Sequence, residues 1–241
     1  MRAETRRQLK QDKFSKATLQ VAEQTVHWSA EHKGKLIAAA VVVVVVVAAV
    51  LGGFYYLTVQ DQKASVEFSK AVQTLSEPIR PAGMPPQPEY PSFASATERA
   101  TEAHNQFQVI ADKYPHTHAS DFAHYFLGVT SSQLGNYAAA ESELKPVTEY
   151  HNSDIAALAK MALASVYRNQ SRNKDAEDLY NQLIQKPTST VSKSSAQIQL
   201  AETYVADGKP SDAKKIYEQI QKDAPQSEAA QFASNKLQEL K

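Results

Sequence analysis

The chain has 241 residues, and its 26 basic and 26 acidic side chains give a formal net charge of zero. It contains no cysteine, which excludes disulfide bonds, a thiol nucleophile and a cysteine-ligated metal. The even balance hides an asymmetry, because residues 1–35 hold eight basic and four acidic residues and the remainder is net acidic. A net acidic remainder argues against nucleic acid as a partner.

Residues 1–35 are predicted to form a basic cytoplasmic tail that contains an amphipathic helix. Apolar residues recur there at spacings of three, four and seven, on one side of a helix: Phe14, Ala17, Val21 and Trp28. A basic helix of this kind suits an anionic membrane surface, so lipid is a predicted partner. The alternative is a partly ordered tail that only sets the orientation of the chain.

Residues 36–59 form 24 consecutive positions without a charge, including an unbroken run of valine at 41–47. As a helix this segment would be roughly 36 Å long, enough to cross a hydrocarbon core of about 30 Å. It is therefore predicted to be a single transmembrane helix. A cleaved signal peptide is the alternative, although its apolar region would have only about 7–15 residues behind a short basic head.

The flanks of this segment predict its orientation, and its small residues predict its packing. Basic residues favour the cytoplasmic side, and Lys33 and Lys35 directly precede the span. We therefore expect a cytoplasmic N-terminus and an extracytoplasmic domain. Small residues four positions apart let two membrane helices approach closely, and would permit a homo-oligomer through the span: Ala48 with Gly52, and Ala49 with Gly53.

Beyond the span, the sequence predicts a juxtamembrane helix over residues 60–77 and a proline-rich loop over residues 78–92. Six prolines fall within this loop, and such a segment cannot be regular helix. From residue 93 to residue 241 the apolar spacing is helical almost throughout, without the alternation that marks a strand. The predicted fold class is all-α.

The region 93–241 repeats itself with a period of 36 or 37 residues. Equivalent residues recur at this interval, both as a leucine followed by a small residue and as a single alanine: Leu127-Gly128, Leu163-Ala164 and Leu200-Ala201, then Ala140, Ala176 and Ala213. This pattern resembles the tetratricopeptide repeat, a helix–turn–helix unit that must stack to bury its apolar face. Three repeats are predicted at about 121–152, 155–188 and 194–226. An earlier repeat is interrupted by the proline-rich loop, and a capping helix closes the array at 227–241.

The resemblance implies a solenoid whose concave groove is lined by the first helix of each pair. The groove residues would then be Phe122, Tyr125, Val129, Leu158, Met161, Ser165, Arg168, Ile198, Glu202 and Val205. This set is aromatic and aliphatic with a few charges, which suits an apolar peptide or helix of a partner protein. The alternative is that several of these residues only pack within the domain.

Tail, span and repeats together resemble a bacterial family, the ancillary SecYEG translocon subunits of YfgM type. The closest stretch runs from Trp28 to Leu75, with Glu31-His32-Lys33-Gly34-Lys35 before the span and Gly52-Gly53-Phe54-Tyr55-Tyr56 at its end. The resemblance implies a signal-anchored inner-membrane protein with a periplasmic repeat domain. It also implies partners among translocon subunits, exported proteins and periplasmic chaperones. A scaffold for envelope assembly or cell division is the alternative.

Sequence patterns typical of enzymes are missing, since the chain has neither a glycine-rich phosphate loop nor a nucleophile elbow. One cluster has a spacing compatible with zinc: His116, His118, Asp121 and His124. The alternative is an exposed inter-repeat turn over 116–120, with Asp121 capping the next helix. We therefore predict a non-enzymatic interaction protein without a cofactor or metal. A metal-dependent activity at these histidines is the alternative from another class.

Overall fold

The computed structural model describes residues 32–85, 87 and 91–240. The chain divides into two compact units, residues 1–58 and residues 59–241. Within the described residues the regular structure is α-helix, and an isolated parallel bridge joins Ile79 and Phe93. The predicted amphipathic helix of the tail, with Phe14 and Trp28, lies outside the described residues.

The described residues contain nine helices, each named here in chain order. They are α1 (Lys33–Ser76), α2 (Ala96–Lys113), α3 (His118–Gln133), α4 (Tyr137–Val147), α5 (Ser153–Asn169), α6 (Asn173–Gln185), α7 (Lys193–Ala206), α8 (Pro210–Asp223) and α9 (Glu228–Glu239). Pairs α3–α4, α5–α6 and α7–α8 correspond to the three predicted repeats. The all-α repeat fold predicted from the period is therefore confirmed.

Helix α1 is long and apolar enough, by its length and composition, to cross a membrane. The seven valines 41–47 are each between 50% and 66% exposed, and Phe54 and Tyr55 are more exposed still. An apolar surface of this extent is not typical of a soluble monomer. The sequence suggested separate segments at 36–59 and 60–77, but α1 passes from one to the other without a break.

The C-terminal part of α1 forms the first helix of the interrupted repeat, with α2 as its second helix. The Phe68 and Phe107 rings lie 5.7 Å apart, and the Thr74 hydroxyl donates to the Gln106 side chain at 2.9 Å. Between the two helices, the base of the proline-rich segment is closed by two backbone hydrogen bonds that join residues 78 and 80 to Phe93. An insertion therefore leaves the helix pair intact, because loop length adds little to the cost of closure.

A side-chain cap begins the first helix of each later pair and the closing helix. In α3 the Thr117 hydroxyl accepts from the backbone N–H of Ser120 at 3.1 Å, and α5, α7 and α9 are capped in the same way by Asn152, Ser192 and Ser227. Such caps satisfy N–H groups that have no partner within the helix. The expectation that Asp121 caps α3 is wrong, because Thr117 does so. Residues 116–120 are not all exposed either, since Thr117, Ala119 and Ser120 are buried.

Small residues lie where the two helices of a repeat cross. A β-carbon added to Gly128 would lie only 2.4 Å from Cγ of Leu144, so α3 and α4 meet too closely for any side chain there. Ala164 and Ala201 take the same place in the next two repeats and are completely buried. The alanines of the second helices, Ala140, Ala176 and Ala213, are also completely buried. The register read from the sequence therefore matches the packing in all three repeats.

Candidate protein-binding surface

The predicted groove residues lie on the first helices α3, α5 and α7, and we call them the first-helix face. None of the ten is fully buried, whereas their neighbours Leu127, Leu163 and Leu200 are at most 3% exposed. The helical period explains the difference, because positions two residues apart point to nearly opposite sides of a helix. The first-helix face is Phe122, Tyr125, Val129, Leu158, Met161, Ser165, Arg168, Ile198, Glu202 and Val205.

The α3 end of this face is partly used for packing. The ring of Phe122 lies 6.0 Å from that of Phe68 on α1, and Tyr125 meets the edge of Phe126 at 5.1 Å. Burial raises the pKa of the Tyr125 hydroxyl, which keeps this side chain neutral at physiological pH. Phe122 therefore also joins the interrupted repeat to the repeats that follow it.

The middle of the face is aliphatic and continuous with the largest core cluster. Leu158 and Met161 on α5 pack against the same buried residues as Phe122 and Tyr125, yet both stay partly exposed. Methionine adapts its shape to irregular apolar partners at low cost. This stretch can therefore accept a further apolar side chain without rearranging the core beneath it.

The α7 end of the face is charged. A guanidinium nitrogen of Arg168 lies 3.8 Å from a carboxylate oxygen of Glu202, and donates to the Gln199 side chain at 3.4 Å. Val205, on the last turn of α7, is 42% exposed. An exposed valine beside a loosely held ion pair offers both apolar contact and hydrogen bonding to a partner.

The residues that sequence reasoning missed surround Val205. A pocket of about 120 Å³ is formed there by Glu202, Val205, Tyr217, Lys236, Glu239 and Leu240. The sequence predicted α9 only as a capping helix. The side-chain period could not indicate that α7, α8 and α9 leave a gap between them.

A larger cleft of about 560 Å³ lies away from the first-helix face. It is formed by the loop after α4, the N-terminal half of α5 and the end of α6, and its lining includes Tyr150, His151, Lys160 and Lys186. Its lining combines polar and apolar groups in similar proportion. No pattern in the sequence had pointed to it.

The histidine cluster is not gathered into a ligand set. His116 and His118 are exposed, and His124 lies 3.3 Å from a carboxylate oxygen of Glu143 on α4. His116 has a φ of +67°, which lets the chain turn sharply between α2 and α3. Among the described residues no three side chains of the metal-ligating types are grouped around a common point. The observed geometry is that of a connection between helices.

The small residues proposed for packing within the membrane all lie on exposed parts of α1. Ala48 and Gly52 share one face of this helix, as do Ala49 and Gly53. Nothing lies within 4 Å of a β-carbon added at either glycine. A close approach by a second helix is therefore sterically open at these positions, and it stays a prediction.

Comparison with known proteins agrees with the repeat architecture. A family profile described as a tetratricopeptide repeat-like domain matches residues 26–241. No curated protein matches the chain. Repeats of this family are typically non-enzymatic and mediate protein–protein interactions. Because the match covers the apolar part of α1, the interrupted repeat, the three complete repeats and the capping helix, the chain belongs to the tetratricopeptide repeat-like domain family.

Proposed function

We propose that this protein is a membrane-anchored interaction scaffold that acts as an ancillary factor of the Sec protein-export translocon. The apolar part of α1 would anchor it in the bacterial inner membrane, with its N-terminus in the cytoplasm. The repeats would bind translocon subunits, exported proteins or periplasmic chaperones on the periplasmic side. The observation that carries this proposal is the continuity of α1, which contains both the membrane-length segment and a core helix of the repeat domain.

That continuity favours an anchor over a dispensable leader. Ala64 and Ala71 on α1 are completely buried in a cluster with Phe107 of α2, and the helix runs from them back into the apolar segment without a break. The apolar segment and these buried alanines therefore belong to one helix, Lys33–Ser76. A domain whose first repeat is completed by its own anchor helix is suited to act close to a membrane.

The first-helix face supports the interaction role. Its residues stay partly exposed although the positions beside them are fully buried, and it changes along its length from aromatic to aliphatic to charged. A mixed apolar and polar strip of this kind suits an extended peptide or a helix of a partner. The likeness of the Trp28–Leu75 stretch to ancillary translocon subunits favours export factors as the partners.

Crosslinking of the full-length protein in intact bacterial cells, followed by pull-down in mild detergent, tests this function. Protease accessibility of the C-terminus is scored on the same cells before and after the outer membrane is permeabilised. We expect a C-terminus that is cleaved only after permeabilisation, and translocon subunits among the crosslinked proteins. A cytoplasmic C-terminus would overturn the orientation. A partner set drawn from cell division or envelope assembly would replace the export role with the alternative scaffold role.

Matched variants distinguish the contribution of the anchor to partner binding from that of the first-helix face. Val205→Lys places a charge on the face, and Val109→Lys makes the same change at a valine of α2 that is 51% exposed and not on the face. We expect only the first variant to lose crosslinked partners. Replacing Gly52 and Gly53 by leucine tests the span in the same way, because bulky side chains prevent close helix approach. Equal recovery of partners with all variants would contradict both assignments.

A further inference from the structure

The connection between α2 and α3, residues 115–118, is held against α1 by hydrogen bonds. The backbone N–H of His118 donates to a carboxylate oxygen of Asp61 at 3.0 Å. Six positions further along α1, Glu67 accepts a hydrogen bond at 2.7 Å from the hydroxyl of Tyr114, which directly precedes the connection. These two contacts determine where the connection lies along α1, and they place it beside Asp61.

Local hydrogen bonds also determine which side chains of the connection face outward. The buried hydroxyl of Thr117 donates to the backbone C=O of Tyr114 at 2.8 Å, and it accepts from the first turn of α3 at 3.1 Å. Thr117 is therefore fully used within the protein. The side chains that the connection leaves exposed are those of Pro115, His116 and His118.

Asp61 follows the predicted membrane span very closely in the sequence. It is two positions after Val59, the last residue of the span, and five positions after Tyr56. At the rise of an α-helix these separations are about 3 Å and about 8 Å. Tyrosine is enriched at the headgroup level of membrane helices. The headgroup layer on each side of a bilayer is about 5–8 Å thick, so Asp61 falls within it whether Val59 or Tyr56 marks its inner edge.

We propose that the α2–α3 connection contacts the membrane surface, with its exposed side chains among the phospholipid headgroups. Because the backbone of His118 bonds directly to Asp61, the connection lies at the same level as Asp61. The imidazole N–H groups of His116 and His118 can donate to phosphate oxygens of the headgroups. The inference rests on the membrane anchor of the proposed function, and it adds which connection of the repeat array meets the bilayer.

The position of the connection, and not a net charge, determines this contact. Glu67 pairs with Lys113 at 2.8 Å, and the acidic Asp61 lies two positions from the exposed Lys63, so the charges of α1 next to the connection are balanced. Recognition of anionic lipid requires a cluster of basic residues. We therefore expect the same contact with zwitterionic and with anionic phospholipid.

The placement has a consequence for the first-helix face. Phe122, the first residue of that face along the chain, is four positions after His118, or about 6 Å along α3. A partner bound at the α3 end of the face would therefore lie close to the headgroups. This position suits a partner that is itself embedded in the membrane.

Fluorescence quenching of the full-length protein in phosphatidylcholine nanodiscs tests the placement. The chain contains no cysteine, so a single introduced cysteine can carry the fluorophore, and a nitroxide on the lipid headgroup serves as the quencher. His118→Cys labels the connection. Gln133→Cys is the matched control, because it is exposed at the other end of the same helix, about 22 Å away. Gln62→Cys, exposed next to Asp61, reports whether α1 is inserted.

We expect strong loss of fluorescence at positions 62 and 118 and little loss at position 133, with no change when phosphatidylglycerol is added to the nanodiscs. Strong quenching at 62 without quenching at 118 would overturn the inference and leave the anchor intact. Equal quenching at 118 and 133 would also overturn it, since the connection would then have no preference for the membrane. Absence of quenching at 62 would refute the anchor, and this inference with it.

A second pair of variants guards against a local effect of the label. His116→Cys places the fluorophore on the connection, and Ser171→Cys places it on the turn between α5 and α6 at a residue with a similar backbone, since φ is +67° at His116 and +60° at Ser171. We expect quenching only at position 116, and equal quenching at both would contradict the placement. Thermal unfolding of each labelled variant checks that the repeats are folded. The export role is tested separately by crosslinking, so its failure would leave the membrane contact standing.

Discussion

Replacing Gly128 by alanine tests whether the close approach of α3 and α4 requires a glycine. The added β-carbon would lie 2.4 Å from Cγ of Leu144, 2.8 Å from its Cδ2 and 3.2 Å from its Cδ1. Overpacking of this kind costs about 1–3 kcal/mol, while alanine regains about 1 kcal/mol over glycine in a helix. We expect a net loss of about 1 kcal/mol, which is roughly 2–4 °C in the melting temperature for a domain of this size.

A second background makes the reasoning refutable. Leu144→Ala alone should cost about 2–5 kcal/mol, because it leaves a cavity between the two helices. In that background the clash is gone, so Gly128→Ala should now stabilise the protein by about 1 kcal/mol through helix propensity. The sign of the glycine substitution therefore reverses with the identity of residue 144.

Thermal unfolding of the full-length protein in detergent micelles, followed by far-ultraviolet circular dichroism, measures both effects. Gly53→Ala is the matched control, because it is the same change within a helix and nothing lies within 4 Å of the added β-carbon. It should leave the transition of the repeat domain unchanged. If Gly128→Ala stabilises the protein in both backgrounds, Leu144 moves aside easily and the contact is not the reason for the glycine.

Three further predictions concern stability. Glu67 accepts hydrogen bonds from Lys113 at 2.8 Å and Tyr114 at 2.7 Å, which lowers its pKa below 4.5. The stabilisation is fully present above pH 4.5 and lost as the pH falls through the lowered pKa, so Glu67→Gln should reduce the fall in melting temperature on acidification. Ser227→Ala removes the cap of α9 and should cost about 1 kcal/mol in thermal unfolding. Phe107→Ala empties the core of the interrupted repeat and should cost about 3–5 kcal/mol in the same assay.

Two of these predictions have a control variant on the same helix. Ser234→Ala, in the interior of α9, should stabilise slightly, since alanine is the better helix former. Gln108→Ala, beside Phe107 but exposed, should have little effect. Equal melting temperatures of the Ser227→Ala and Ser234→Ala variants would exclude capping as the role of Ser227. If the parent protein and Glu67→Gln respond identically to acid, the hydrogen bonds of Glu67 do not contribute to the pH dependence.

The sequence predicted the structure best where one local property of a residue, its size or its lack of charge, decides where it lies. The uncharged run 36–59 indicated a helix that could cross a membrane, and the small residues at positions 128, 164 and 201 indicated where helices cross. Both follow from local rules, because the period of the helix and the width of a side chain do not depend on distant contacts. The cap of α3 was misassigned, since Thr117 and Asp121 are both residue types that cap helices.

Contacts between helices far apart in sequence decided which residues of the candidate binding surface are exposed. Whether Phe122 is a free surface residue or a packing partner depends on Phe68, more than 50 positions earlier. The pocket beside Val205 depends on how α7, α8 and α9 pack together, and no repeat position encodes that gap. Repeat number, register and the long apolar helix could be determined from the sequence alone, because each is periodic or local. The composition of the candidate binding surface was decided only by tertiary structure, because exposure and hydrogen bonding are set jointly by several helices.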